Sequence, residues 1–255
     1  MSSQAYRKLQ DKHVLVMGGS SGIGRAVAEA ALASGANVSI SSSSATRVES
    51  AVSQLSAAYP DRTVRGLAVD LSKPTAEADL EGLFQWVGPL DHIVFTAADQ
   101  LSLGGLDSVS VDLMHQAAHM RMVVPVLVGK MAARYLPKTN LASLTITSGV
   151  VAEKPAPGWA VVSYFAGGLV SLARALAVDL APVRVNVVQP GYIDTGLWSG
   201  MSEDARNAMW KSIEETVPTG KVGQAEDVAE AYLWLMKDRN VTATVAATDS
   251  GALVV

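Results

Sequence analysis

Two rhythms of apolar and polar positions alternate along the chain: short apolar runs of strand length, and longer Ala- and Leu-rich stretches of helical period. The first run, His13-Val14-Leu15-Val16-Met17, stops at the cluster Gly18-Gly19-Ser20-Ser21-Gly22-Ile23-Gly24. A helical pattern opens inside that cluster with Arg25-Ala26-Val27-Ala28. Further strands are predicted over 37–40, 63–69, 91–96, 141–147, 183–188 and 241–249, and helices over 46–58, 109–135 and 162–180. Strands that alternate with helices call for crossover connections, hence a parallel sheet buried on both faces. The expected fold is α/β, a single doubly wound Rossmann-type domain over residues 1–255 with a parallel seven-stranded sheet and helices on both faces.

Composition narrows this picture. With 255 residues, 49% of them hydrophobic, the chain supplies one large core, and no linker, repeat or low-complexity tract divides it. A net charge of −4 without basic blocks argues against nucleic acid as a partner. No uninterrupted apolar run reaches the length of a membrane span, and Met1, Ser2, Ser3 and Gln4 do not open a secretory signal, so the expectation is a cytoplasmic protein with no membrane partner. The absence of cysteine excludes disulfides, thiolate catalysis and Cys-ligated metals. His115 and His119 share a helix face at i, i+4 but have no evident third ligand, so no metal site is expected.

Candidate chemistry gathers at the predicted strand ends. Glycines at 18, 22 and 24 let backbone approach a phosphate, which the helix N-terminus favours, and Ser20 and Ser21 add hydroxyls; a bare strand–helix turn has the same pattern. After the second strand, Ser41, Ser42, Ser43 and Ser44 with Arg47 offer hydroxyls and a cation where an acid would repel a 2′-phosphate. The same serines also suit a helix cap. Asp70, just past the third strand, reads from its position as an N-cap. Arg121, within the long helical stretch, reads from the residues alone as an arginine salt-bridged on a helix surface. The segment 197–217, with Trp198, Met201, Met209 and Trp210, reads as a substrate lid or as an amphipathic helix against the core.

The order of these motifs over essentially the whole chain resembles the short-chain dehydrogenase/reductase family. Its marks here are Gly-x-x-x-Gly-x-Gly, Asp70-Leu71, Ser148, Pro190-Gly191 with Thr195, and the carboxy-terminal segment from Gly220. The resemblance implies NADP(H) as cofactor, held by Gly18, Ser20, Ser21, Gly22, Ile23, Ser42, Ser43, Ser44, Arg47, Asp70, Leu71, Ala97, Ala98, Pro190, Gly191, Ile193 and Thr195, and a small-molecule substrate near Trp159 and Trp198. It also implies a homodimer or homotetramer built on the two long helices.

The chain departs from the family where protons move. Val162 and Ala166 stand at the Tyr and Lys positions, Arg121 stands at the Asn position, and only Ser148 remains of the four catalytic residues. Tyr164 lies two residues late, about 200° round the helix, and cannot simply substitute. Phe95-Thr96-Ala97-Ala98 replaces the family's Asn-Asn-Ala-Gly, so the amides that brace the sheet are missing. With Arg121 and Trp159 the chain resembles fungal reductases of indole-alkaloid secondary metabolism that reduce an iminium and assist a Diels–Alder closure. That subgroup carries an Asp three residues before the Trp, where Ala156 stands here. Arg121 and Ser148 are the candidate catalytic residues. Three activities stay open: iminium reduction, carbonyl reduction using Ser148, Arg121 or water, and NADP(H) binding without turnover.

Overall fold

In the first strand, β1 (His13–Met17), alternate residues feed the two cores: Leu15 and Met17 face one helical layer, Val14 and Val16 the other. The computed structural model describes residues 6–255; the tetrapeptide Met1, Ser2, Ser3 and Gln4 lies outside the described residues. From β1 the chain continues through α1 (Gly22–Ala33), β2 (Asn37–Ser42), α2 (Ala45–Ala58), β3 (Val64–Ala68), α3 (Ala76–Val87) and β4 (His92–Phe95). Then follow α4 (Val111–Ala118), α5 (Val124–Tyr135), β5 (Ser143–Thr147), α6 (Ala160–Asp179), β6 (Arg184–Pro190), α7 (Glu203–Thr216), α8 (Ala225–Lys237) and β7 (Val245–Thr248). All seven strands are parallel in the order β3-β2-β1-β4-β5-β6-β7, so the direction of winding reverses between β1 and β4. That is the Rossmann arrangement, with α3, α5 and α6 on one face and α1, α2 and α8 on the other.

Several expectations need revision. The helix α3 falls where no element was expected, although Leu80, Leu83, Phe84 and Val87 recur at helical spacing and are all buried. The stretch expected as one helix over 109–135 begins at Val111 and is interrupted by a π-helical turn, His119–Val123. The last strand is shorter than 241–249, because the carbonyl of Val241 is engaged sideways by the Asn186 amide, 3.1 Å away, instead of by a neighbouring strand. Although α6 contains Arg174 and no uninterrupted apolar run, its 20 residues are by length and composition apolar enough to cross a membrane. One side of it, Phe165, Leu169, Ala173 and Leu176, packs into the core.

At the far end of the sheet from the glycine turn, two buried polar groups lock the strands. Arg184 donates to Asn140 O at 2.7 Å and to Met236 O at 2.9 Å, satisfying a carbonyl at the end of α8. His92 Nδ1 lies 2.8 Å from Ser143 Oγ, and burial pushes the imidazole down to about 3, so it is neutral.

Candidate active site

A cavity of about 990 Å³ opens at the carboxyl ends of the strands, across the point where the winding reverses. Crevices form there because the loops after β1 and β4 diverge to opposite faces. The glycine turn forms one side of it. Gly18 (φ 90°) and Gly24 cannot carry a side chain: a Cβ on Gly18 would lie 2.7 Å from Ala97 N, and one on Gly24 2.3 Å from Gly18 O. Above the turn stands Thr195, whose Cβ would be 3.4 Å from a Cβ on Gly22. Ser20, Ser21, Gly22 and Ile23 line the cavity, and the Ser21 side chain caps no backbone N–H of α1. Exposed donors at a helix N-terminus, reachable only because Cβ atoms are absent, fit a pyrophosphate.

Toward β2 and β3 the wall is made by Ser41, Ser42, Ser43, Arg47, Asp70 and Leu71. Ser44 is a correction: it does not line the cavity, and its hydroxyl instead accepts from Arg47 N at 3.3 Å as the N-cap of α2. Asp70 does not cap α3, which starts six residues later after Thr75. The hydroxyl and then the backbone N–H of Ser72, 2.7 and 3.1 Å from Oδ1, hold the Asp70 carboxyl below the usual carboxylate range, with Lys73 a further contributor.

Toward β4, β5 and β6 lie Ala97, Ala98, Ser148, Pro190, Gly191 and Ile193. A Cβ on Gly191 would meet Asp249 Cα at 2.7 Å, so only glycine lets this turn rest against the end of β7. Arg121 projects from the π-helical turn into the wall but is not a free cation. Its Nη2 lies 2.8 Å from Asp99 Oδ1 and 2.8 Å from Asp99 O, and its side chain is only 14% exposed. Ser148 Oγ donates to Ala166 O at 2.8 Å, which commits its proton to the α6 backbone. Val162 and Ala166 line the cavity, whereas Tyr164 is 61% exposed and absent from the wall.

Beyond them three rings meet. Trp159 lies 6.5 Å from Tyr192 and 6.4 Å from Trp198, and Tyr192 lies 6.0 Å from Trp198. Trp198 is buried and tied by Nε1 to Ile193 O at 2.9 Å, so it anchors its own turn as well as facing the cavity. The segment expected as a lid becomes a short turn, Gly196–Trp198, followed by α7, none of whose residues is buried. Ser212, Ile213, Thr216 and Val217 close the cavity from that side. His119 serves the architecture, with Nε2 2.9 Å from Leu71 O.

Among the cavity residues that escape the sequence reading are Asp99, Tyr192 and Lys154, whose Nζ donates to Ala252 O at 2.8 Å. The legible signal for Asp99 is an acid just past the end of a parallel strand, the edge where such sheets bind ligands. For Tyr192 it is the aromatic beside the Pro-Gly turn. Lys154 lies in an irregular loop that offers no pattern.

Comparison with known proteins agrees with this architecture. Residues 5–255 match the family described as SDR-like Rossmann domain. The short-chain dehydrogenase/reductase ATR9 of Stachybotrys chlorohalonatus is 39% identical over 251 residues, 96% of this chain and 98% of that protein. The malC protein of Malbranchea aurantiaca is 38% identical over 254 residues, 96% of both chains. Its structure, described as MalC reductase/Diels–Alderase, superposes with a TM-score of 0.93, covering 98% of this chain and all of that one at 37% identity. A small-chain dehydrogenase solved in complex with NADPH is 29% identical, with a TM-score of 0.78 over 96% of this chain and all of that one. Fold, motif order and relatives together make this chain a member of the short-chain dehydrogenase/reductase family of oxidoreductases.

Proposed function

We propose that this chain is an NADP(H)-dependent reductase that directs hydride onto the carbon of an iminium in a bulky, largely apolar substrate. The observation that carries the reading is Val162 and Ala166 on the cavity wall, two side chains with no proton to give, at the positions where the family carries Tyr and Lys. Reducing a ketone builds charge on oxygen and needs a donor poised there. An iminium needs none: its π pair moves onto nitrogen as the carbon accepts hydride, and the positive charge is discharged.

NADPH supplies the hydride when bound. The glycine turn and Thr195 hold its pyrophosphate, while Ser43 and Arg47, with no acid between residues 41 and 47, receive the 2′-phosphate. Asp99 neutralises Arg121, so that side chain does not repel a cationic ring, and Trp159, Tyr192 and Trp198 offer π faces to it. Rate then comes from proximity and the exclusion of water. The relative crystallised with NADPH supports the cofactor. The test is NADPH oxidation with a cyclic iminium salt and the ketone of matching skeleton. Consumption of the iminium alone is expected, and turnover of the ketone at a similar rate overturns the reading.

Tyr192 favours one second reading, carbonyl reduction with its phenol as donor, because it is a hydroxyl-bearing ring on the cavity wall. Ketone turnover abolished by Tyr192→Phe identifies it. We do not extend the proposal to ring closure, since Ala156 brings no acid to the wall. The reading includes pairing of two copies through α5 and α6, where Val126, Tyr164 and Val178 are exposed.

A further inference from the structure

Two threonines sit directly before the cavity segments of β4 and β5, and both hydroxyls staple strand ends. Thr96 Oγ1 donates to Met17 O at 2.9 Å, and Thr147 Oγ1 donates to Phe95 O at 2.7 Å. Thr147 Oγ1 also lies 2.6 Å from the Tyr232 hydroxyl of α8. A hydroxyl has one proton, and a carbonyl only accepts, so Thr147 gives its proton to Phe95 O and Tyr232 must donate to Thr147. Tyr232 is completely buried, and burial raises its phenol further, which keeps it protonated and the chain of donors one-way. Tyr232 does not line the cavity, whereas Thr147 and its neighbour Ser148 do.

The sheet order decides what this chain supports. From the pyrophosphate turn at β1 the adenosine half runs over β2 and β3, where Ser43 and Asp70 lie, so the nicotinamide half runs over β4, β5 and β6. We propose that Tyr232 is a positioning residue for the nicotinamide half of the cofactor, acting through Thr147 on the ends of β4 and β5. This rests on the cofactor reading above but not on the identity of the substrate.

The test compares two probes by calorimetric titration: NADPH, and 2′,5′-ADP, which contains only the adenosine half. Tyr232→Phe is expected to weaken NADPH by about five- to tenfold, the worth of one hydrogen bond, and to leave 2′,5′-ADP within about twofold. Thr147→Val removes this bond together with the one to Phe95 O. It is expected to weaken NADPH at least as much as Tyr232→Phe, again sparing 2′,5′-ADP, and adding Tyr232→Phe to it should cost nothing more. Thr147→Ser, which retains the hydroxyl, is expected to bind NADPH like the parent protein. Equal loss of both probes in Tyr232→Phe, unchanged NADPH affinity, or additive effects of the two substitutions overturns the role of Tyr232. Parent protein that binds 2′,5′-ADP but gains nothing from the nicotinamide half overturns it too, while parent protein that binds neither probe overturns the cofactor reading and this inference with it.

Discussion

Replacing Arg121 by Met retains the aliphatic stem and removes the guanidinium, and the structure sets the size of the effect. The guanidinium donates to Asp99 O at 2.8 Å, forms an ion pair with Asp99 Oδ1 at 2.8 Å, and reaches Gln100 O at 3.4 Å. It therefore fixes the segment after β4 that passes through the cavity wall. Hydrogen bonds to a charged group contribute about 1.5–3 kcal/mol each, but Asp99 is one-third exposed and water competes for it. A total near 2–3 kcal/mol follows, part of it the cost of leaving Asp99 without its cation. For a domain of this size that lowers the melting temperature by roughly 5–10 °C. Thermal and urea unfolding of the Arg121→Met protein measure it directly. The companion Asp99→Asn/Arg121→Met protein, with no unpaired carboxylate, is expected to regain about 1 kcal/mol. A single variant as stable as the parent, within about 0.5 kcal/mol, refutes the reasoning and returns Arg121 to the class of solvated surface residues.

Three further outcomes are expected. Arg47→Ala should weaken NADPH by about tenfold or more and leave NADH unchanged in fluorescence titrations, since only the former carries the 2′-phosphate that a charged partner holds. Gly24→Ala, whose Cβ would lie 2.3 Å from Gly18 O, should abolish cofactor binding while the protein still unfolds cooperatively. His92 is held near 3 when folded, against 6.5 unfolded, so the unfolded chain binds the proton first as pH falls. The contribution of His92 is complete above about 6.5 and drops by about 1.4 kcal/mol per pH unit as pH falls below that; His92→Gln should flatten the slope between about pH 6.5 and 5, above the range where carboxylates held low, such as Asp91, take up protons, in urea titrations at stepped pH.

The parts of this protein that repeat a local pattern were legible from sequence. Strands such as β1 and β4 are apolar on both faces, and the glycine turn declares itself because Gly18 and Gly24 leave no room for a Cβ. The register of α6 was legible too: Val162 and Ala166 face the cavity and Tyr164 does not. What was hidden depends on segments distant in sequence meeting in space. Arg121 left two readings open, a cation near the nicotinamide or a salt-bridged surface residue, because its partner lies 22 residues away in a loop without periodicity. Ser44 looked like a phosphate ligand because a capping serine and a ligating serine are the same residue type, and only the start of α2 separates them. The missing bracing amides found a replacement in Thr96 and Thr147, whose hydroxyls reach neighbouring strand carbonyls that no sequence pattern reveals.

Hydride transfer without a proton donor is tested most directly by the way its rate responds to pH. Single-turnover reduction of a cyclic iminium salt by 4-deuterated NADPH, followed by mass analysis of the amine, isolates that step. The deuterium is expected on the former iminium carbon, at a rate level between about pH 6 and 9, because no side chain has to give up a proton. A rate that falls as a single acid is titrated, together with equal reduction of the matching ketone, contradicts it.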